Sequence, residues 1–179
     1  GDAIFEYALK NDGSLSIRTS FNPDTAIIKS MARVGITFQM PDDYQRITYL
    51  GRGESETYAD RKENGKIGIY STSVEETFHS YAMPQATGNH TDMRWAILTD
   101  KEGFGFKFIG SKGFQFSVSP YDDVILDKAK HLNELKQTGN VTIHLDAEQS
   151  GVGTATCGPG VLPQYRVPLK KYEFEFKLI

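Results

Sequence analysis

Apolar residues recur at every second position through most of this chain, the spacing that puts alternate side chains on one face of a β-strand. The clearest run is Tyr172 to Leu178, where Phe174, Phe176 and Leu178 alternate with Glu173, Glu175 and Lys177. The same pattern predicts strands over Ile4–Leu9, Leu15–Phe21, Val34–Met40, Arg46–Leu50 and Lys66–Tyr70. It continues over Met93–Leu98, Gly105–Ile109, Phe114–Ser119 and Val141–Leu145. Asn11-Asp12-Gly13 and Asp100-Lys101-Glu102-Gly103 supply residues that tolerate positive φ, as hairpin turns require. With Gly110-Ser111-Lys112-Gly113 as a third linker, the spacing predicts a β-meander from about Arg94 to Ser119. Strands do not alternate with helices, so a parallel sheet is excluded and the fold class is mainly β, an antiparallel sandwich.

One segment departs from this period. Ser119 stands as an N-cap, Pro120 at a first helical position, and Asp122 and Asp123 in the first turn. Tyr121, Ile125, Ala129 and Leu132 share a stripe, with Lys128, Lys130 and Lys136 towards the carboxyl end and Gly139 beyond. The expectation is one amphipathic helix near 120–137, packed on a sheet. Ser150 to Pro168 is the longest loop candidate.

A length of 179 residues fits a single domain over 1–179. A chain of this size buries roughly 70% of its unfolded surface, so a core forms without disulfides, in keeping with the single cysteine, Cys157. The 20 basic and 23 acidic residues are scattered, giving a formal charge of −3 and no basic stripe for nucleic acid. No apolar run reaches the ~18 residues that cross a bilayer, and the first residues lack the order of a signal peptide. A soluble chain with no membrane partner is expected, in cytoplasm or periplasm alike, since a lone cysteine does not separate the two.

The residues offer few chemical motifs. Glu54 and Glu56 share a face if that stretch is extended, and Asp60 follows, but adjacent acids such as Asp42-Asp43, Glu75-Glu76 and Asp122-Asp123 read as solvated faces or helix starts. No catalytic pair is identified. The histidines, His79, His90, His131 and His144, lack the spacing of a local zinc site, so no metal is expected. His90, in the polar loop Thr87–Thr91, is the one histidine with a binding candidacy. Cys157 has no neighbouring base to make it a nucleophile. Gly151-Val152-Gly153 with Gly158 has the wrong spacing for a dinucleotide turn. Tyr44, Tyr49, Tyr58, Tyr70, Tyr81, Trp95 and Tyr165 lie near loops or strand ends, where sugars stack in all-β proteins, although filling a sandwich core is their commoner role.

Four stretches taken in order resemble the carboxy-terminal domain of family-two glycoside hydrolases of the β-galactosidase type. Arg33 to Phe38 resembles a strand of that family, with Ala32 at its usual Pro. Tyr49 to Arg61 resembles the signature G-x-G-P-x-E-x-Y-x-D-R, matched at Gly51, Gly53, Glu56, Tyr58, Asp60 and Arg61, with Glu54 in place of Pro. Tyr81 to Trp95 is similar to the stretch P-Q-E-x-G-N-x-x-D-x-R-W, including Arg94 and Trp95, with Ala86 at the usual Glu. His131 to Leu135 and Leu145 to Tyr165 resemble its helix end and its Gly-rich loop. The likeness runs from about Phe5 to Ile179.

The resemblance implies a sandwich of the galactose-mutarotase type that is longer than 179 residues in the family, so this chain is expected to be truncated at its N-terminal side. It implies the C-terminal part of a larger β-galactosidase that hydrolyses terminal β-D-galactosides with retention. In the family both catalytic glutamates sit on a preceding (β/α)₈ barrel, so no residue here is expected to be catalytic. The signature residues carry a structural role, and Cys157, Gly158 and Pro159, with His90, are candidates for the rim of the substrate pocket. No cofactor is expected in this chain, the parent's magnesium and monovalent cations binding elsewhere. Its partners would be the rest of the enzyme, the galactoside and further copies of the parent. Two alternatives are a carbohydrate-binding module and a free aldose mutarotase, the latter needing His90 and Glu56 to meet in one cleft.

Overall fold

The structure, a computed structural model, describes residues 1–154 and 158–179. Eleven strands follow in order: β1 (Asp2–Leu9), β2 (Leu15–Asn22), β3 (Arg33–Pro41), β4 (Arg46–Gly53), β5 (Lys66–Ser73), β6 (His90–Met93), β7 (Trp95–Thr99), β8 (Gly105–Gly110), β9 (Phe114–Ser119), β10 (Asn140–Gln149) and β11 (Tyr172–Leu178). They form a seven-stranded sheet, β1-β2-β11-β8-β7-β4-β5, and a four-stranded sheet, β3-β10-β9-β6. All neighbours are antiparallel. The predicted hairpin turns hold: Gly13 and Gly103 adopt φ of 81° and 92°, a region closed to most side chains.

The alternation sorts side chains between core and surface. Ile47, Tyr49, Ala96, Leu98, Phe108 and Phe176 from the larger sheet meet Phe114, Phe116, Val118, Val141, Ile143 and Leu145 from the smaller. Thr142, His144 and Asp146 point the other way along β10, yet they are buried too. The chain after β9 folds over them: His144 Nε2 donates to Asp123 Oδ2 at 2.9 Å, and Gln39 Nε2 to Asp122 Oδ2 at 2.8 Å.

Three expectations need correction. Met93 to Leu98 is not one strand but two, β6 and β7, in different sheets. Met93 and Ala96 both face the core although they are three apart, which a continuous strand with period two forbids. The chain bends at Arg94, between the two strands, and within β6 Asp92 has a φ of 54°, unusual for a residue with a Cβ. The meander also stops at β8. Residues 110–113 carry the chain across to the other sheet, where β9 pairs with β6 and β10 rather than β8. Both sheets share one apolar core, so periodicity cannot tell a hairpin from a crossing.

The helix is the third. It spans only Asp123–Lys128 (α2), capped by Asp122, whose carboxylate accepts the Val124 amide at 2.7 Å. Ser119 stays in β9. The segment lies across a sheet face and buries Leu126 and Ala129 instead of the stripe through Ile125 and Leu132; Ala129 is already extended at ψ 133°. A single 3₁₀ turn follows at Leu132–Glu134. A further helix of four residues, α1 (Val74–Thr77), follows β5 and begins with a capping box between Ser73 and Glu76.

Candidate functional site

β4 ends at Gly53, and the loop to β5 turns back under the stretch Thr87–Thr91. Gly51 and Gly53 let this happen. A Cβ at Gly51 would meet Met93 Sδ, and one at Gly53 would meet the Tyr49 hydroxyl and the Tyr70 ring. The two stretches are laced together. Thr57 N donates to Asn89 O at 2.7 Å, Asn89 Nδ2 returns to Thr57 O at 2.9 Å, and Thr91 N donates to Thr57 Oγ1 at 2.9 Å.

Glu56 is the centre of this lacing. Only 2% exposed, it accepts the Tyr58 hydroxyl at 3.0 Å, the Gly88 amide at 2.9 Å, the Tyr81 hydroxyl and Arg61 Nη1 at 3.2 Å. Burial pushes its pKa up, but the hydrogen bonds from Tyr81, Gly88 and Tyr58 outweigh it and hold the carboxyl below the usual range. Gly88 has a φ of 70° and sits against the Thr77 carbonyl, so only glycine brings that amide to Glu56 without strain.

Asp60 reaches in the opposite direction, to the Gly-rich loop. Its carboxylate accepts the amides of Val152 at 3.0 Å and Gly153 at 2.7 Å. Gly151 packs directly on the carboxylate, with no room for a Cβ. Between this anchor and the far side of the loop lies a cavity of about 380 Å³, lined by Asp60, Arg61, Val152, Pro159, Leu162 and Tyr165. Gly158 and Pro159 are exposed, and the Pro159 carbonyl accepts the Thr154 amide at 3.1 Å. Cys157 lies outside the described residues.

His90 is not at a rim. It is 4% exposed, and its Nδ1 stands 2.9 Å from the Arg52 carbonyl, which can only accept, so Nδ1 carries the proton. Burial pushes its pKa down to about 4. His90 and Glu56 are each buried and engaged elsewhere, so they do not form the open cleft that a mutarotase needs. Arg94 is exposed and contributes its amide to Leu50 O at 2.8 Å. Trp95 is half-buried on the outer face of the larger sheet, with Lys107 Nζ 5.1 Å from its ring centroid. Tyr49 and Tyr58 are core residues. Among the described residues no three His, Cys, Asp or Glu converge as metal ligands, and no helix is long and apolar enough to cross a membrane.

Asp92, the acid of the family stretch Tyr81 to Trp95, takes Arg52 Nε and, at 3.2 Å, Lys62 Nζ. These ties fasten the other end of the same loop. Its sequence signal was the acid of the stretch P-Q-E-x-G-N-x-x-D-x-R-W, one residue before the predicted strand Met93–Leu98.

A family model described as beta galactosidase small chain matches residues 2–178. The chain belongs to the β-galactosidase small-chain family. It is 35% identical over 98% of its length to the β-galactosidase of Kluyveromyces lactis, covering 16% of that protein. It is 34% identical over 82% of its length to the β-galactosidase of Priestia megaterium, covering 14%. A third, β-galactosidase BgaC of Bifidobacterium adolescentis, is 39% identical over 66% of this chain and 12% of its own. The small chain therefore spans about a sixth of such relatives or less, and its signature residues form the loop anchor rather than an exposed reaction centre.

The neutral, buried His90 of this small chain has a pH consequence. Its pKa is about 4 when folded and 6.5 when unfolded, so the unfolded chain binds the extra proton first as pH falls. The stability is complete above pH 6.5 and is lost between 6.5 and 4, by about 3 kcal/mol at 1.36 kcal/mol per unit. His90→Asn keeps a donor for Arg52 O without titrating. Urea unfolding from pH 7 to 4 is expected to show the gap between wild type and His90→Asn narrowing with acid.

Proposed function

We propose that this chain is the C-terminal sandwich of a longer β-galactosidase and supplies architecture and the rim of the substrate pocket, while the catalytic carboxyls lie on the rest of the polypeptide. The observation that carries this is the meeting of the signature segment and the Gly-rich loop at Asp60. The two matched acids of that signature, Glu56 and Asp60, are committed to holding the fold: Glu56 is saturated by donors, and Asp60 holds two backbone amides. A retaining hydrolase needs two carboxyl groups about 5–5.5 Å apart and facing the sugar. Neither acid is free to serve.

On this reading the loop residues Gly158 and Pro159, with Tyr165 and Arg61 behind them, face the aglycone side of a galactoside bound at the parent's centre. Magnesium and monovalent cations would be held elsewhere on the parent, and assembly of the parent into a homo-oligomer belongs to the same proposal. The test is the full polypeptide with 4-nitrophenyl β-D-galactoside, the product followed by proton NMR. The expected result is turnover with β-galactose released first. Release of α-galactose first, or turnover of the α-galactoside instead, would overturn it.

A binding module is the second reading, and half-buried Trp95 on an open sheet face is what favours it. Calorimetric titration of the chain with galactose and lactose separates the two, since a module gives heat at millimolar sugar without any barrel.

A further inference from the structure

Asp146, on β10, is 1% exposed, and its Oδ2 accepts no hydrogen bond from the described residues. It stands opposite Gly35 of β3, where a Cβ would strike its Oδ1, so the carboxyl lies against bare backbone. Arg33 Nη2 comes within 3.0 Å of Oδ2. Its hydrogens lie off that line, however, and one of them goes to Gln149 Oε1 at 3.2 Å. A guanidinium that passes this close to a carboxyl and donates instead to a neutral amide is placed for an acid that carries its proton.

The charges around this carboxyl come from three elements. β3 contributes Arg33, the α2 segment Asp123, and β10 itself His144, while the facing β9 residues, Gln115 and Ser117, are uncharged. Asp123 is paired with His144 Nε2 at 2.9 Å, and His144 Nδ1 meets Ser117 Oγ at 3.3 Å. Asp122 is taken by Gln39, and Glu148 by Lys170 and Tyr172. Burial pushes the pKa of Asp146 from 3.8 up to about 6, with Asp123 adding to the rise and Arg33 and His144 opposing it. The folded state therefore holds the extra proton. The stability this contributes is whole below pH 3.8 and is lost as pH rises through about 6.

The same Arg33 stands at the foot of the Gly-rich loop. Gln149 is the last residue of β10 and pairs with Arg33 beyond a register shift between Asp146 and Glu148. The next two amides carry the foot: Ser150 N donates to Ala32 O and Gly151 N to Tyr165 O, both at 2.8 Å. Resting on the reading of this loop as the rim of a galactoside pocket, we infer that Asp146 is a positioning residue that holds or frees the loop foot through the Arg33 guanidinium. With the carboxyl protonated, Arg33 serves Gln149 and the foot is held. When the proton leaves to solvent, the carboxylate claims the guanidinium, since a charged acceptor outcompetes a neutral amide. Gln149 then loses its donor, and the foot loosens.

Hydrogen exchange on the full polypeptide from pH 5 to 7.5, each rate divided by that of an unstructured chain at the same pH, tests this. The Ser150 and Gly151 amides are expected to lose about tenfold in protection across pH 6, with the β4–β7 ladder unchanged. Asp146→Asn, neutral at every pH, is expected to abolish the step, and His90→Asn, outside this cluster, to keep it. Should Asp146→Asn not fold, Gln149→Leu at the half-buried foot is expected to abolish the step as well, because the guanidinium then has no amide to leave. Over the same range the KM of wild type relative to Asp146→Asn is expected to rise about threefold for galactosides with bulky aglycones, with the kcat ratio unmoved. A foot whose protection ignores pH, a step that survives in Asp146→Asn, or a step with KM unmoved would overturn the inference. Galactoside turnover on the same sample judges the enzyme reading separately: turnover with a pH-independent foot rejects the role of Asp146 alone, and a step without turnover rejects the enzyme alone.

Discussion

Glu56→Ala is expected to lower the unfolding free energy by about 4 kcal/mol, a large part of the 5–15 kcal/mol typical of a domain. The change removes the acceptor of the buried Tyr58 hydroxyl and of the Gly88 amide, and both are left in a site closed to water. Each such orphaned group costs about 1–3 kcal/mol. Arg61 also loses its partner, but its side chain is 46% exposed, so water takes over much of that interaction. Glu56→Gln keeps shape and one acceptor and is expected to lose about half as much. Urea unfolding at pH 7 measures both. A loss under about 1 kcal/mol for the alanine variant would mean that the lacing of Glu56 to the Thr87–Thr91 stretch does not hold the fold.

Asp60→Ala in the full polypeptide is the second large effect, and it concerns rate. On the proposed reading Asp60 touches no substrate and acts through the loop, as a positioning residue. Removing the carboxylate frees the amides of Val152 and Gly153, and hydrogen bonds to a charged group are worth about 1.5–3 kcal/mol each. If half of one such bond is felt at the rim, kcat/KM falls about tenfold, since 1.4 kcal/mol is a factor of ten. The fall is expected to be greater for galactosides with bulky aglycones. Asp60→Asn, with one acceptor left, should restore part of the activity. A uniform loss over all aglycones, with no rescue by Asn, would assign Asp60 to folding only.

Much of the fold was legible because strands write themselves at period two. β11 could be read from Phe174, Phe176 and Leu178 alone, and the β1–β2 turn from Asn11-Asp12-Gly13. What the alternation cannot record is which sheet a strand joins. β8 and β9 carry the same pattern and face the same core from opposite sides, so their separation depends on contacts distant in sequence. The α2 segment misled for a related reason: its capping and stripe were real local preferences, and packing over Thr142 and His144 cut the helix to six residues. At the site, the family motif marked Glu56 and Asp60, but not their tasks. Those depend on Gly88, Tyr81 and Val152, which lie far along the chain. His90 looked available as a polar loop residue, and only its burial against Arg52 O removes it.

The most direct measurement compares galactoside turnover by the 179-residue chain with turnover by the full polypeptide that carries it. The expected result is none above a contamination control for the chain, and sustained hydrolysis of 4-nitrophenyl β-D-galactoside by the full polypeptide. Turnover by the chain alone, abolished by Glu56→Gln, would contradict the central claim by placing a catalytic carboxyl where the structure has a saturated one.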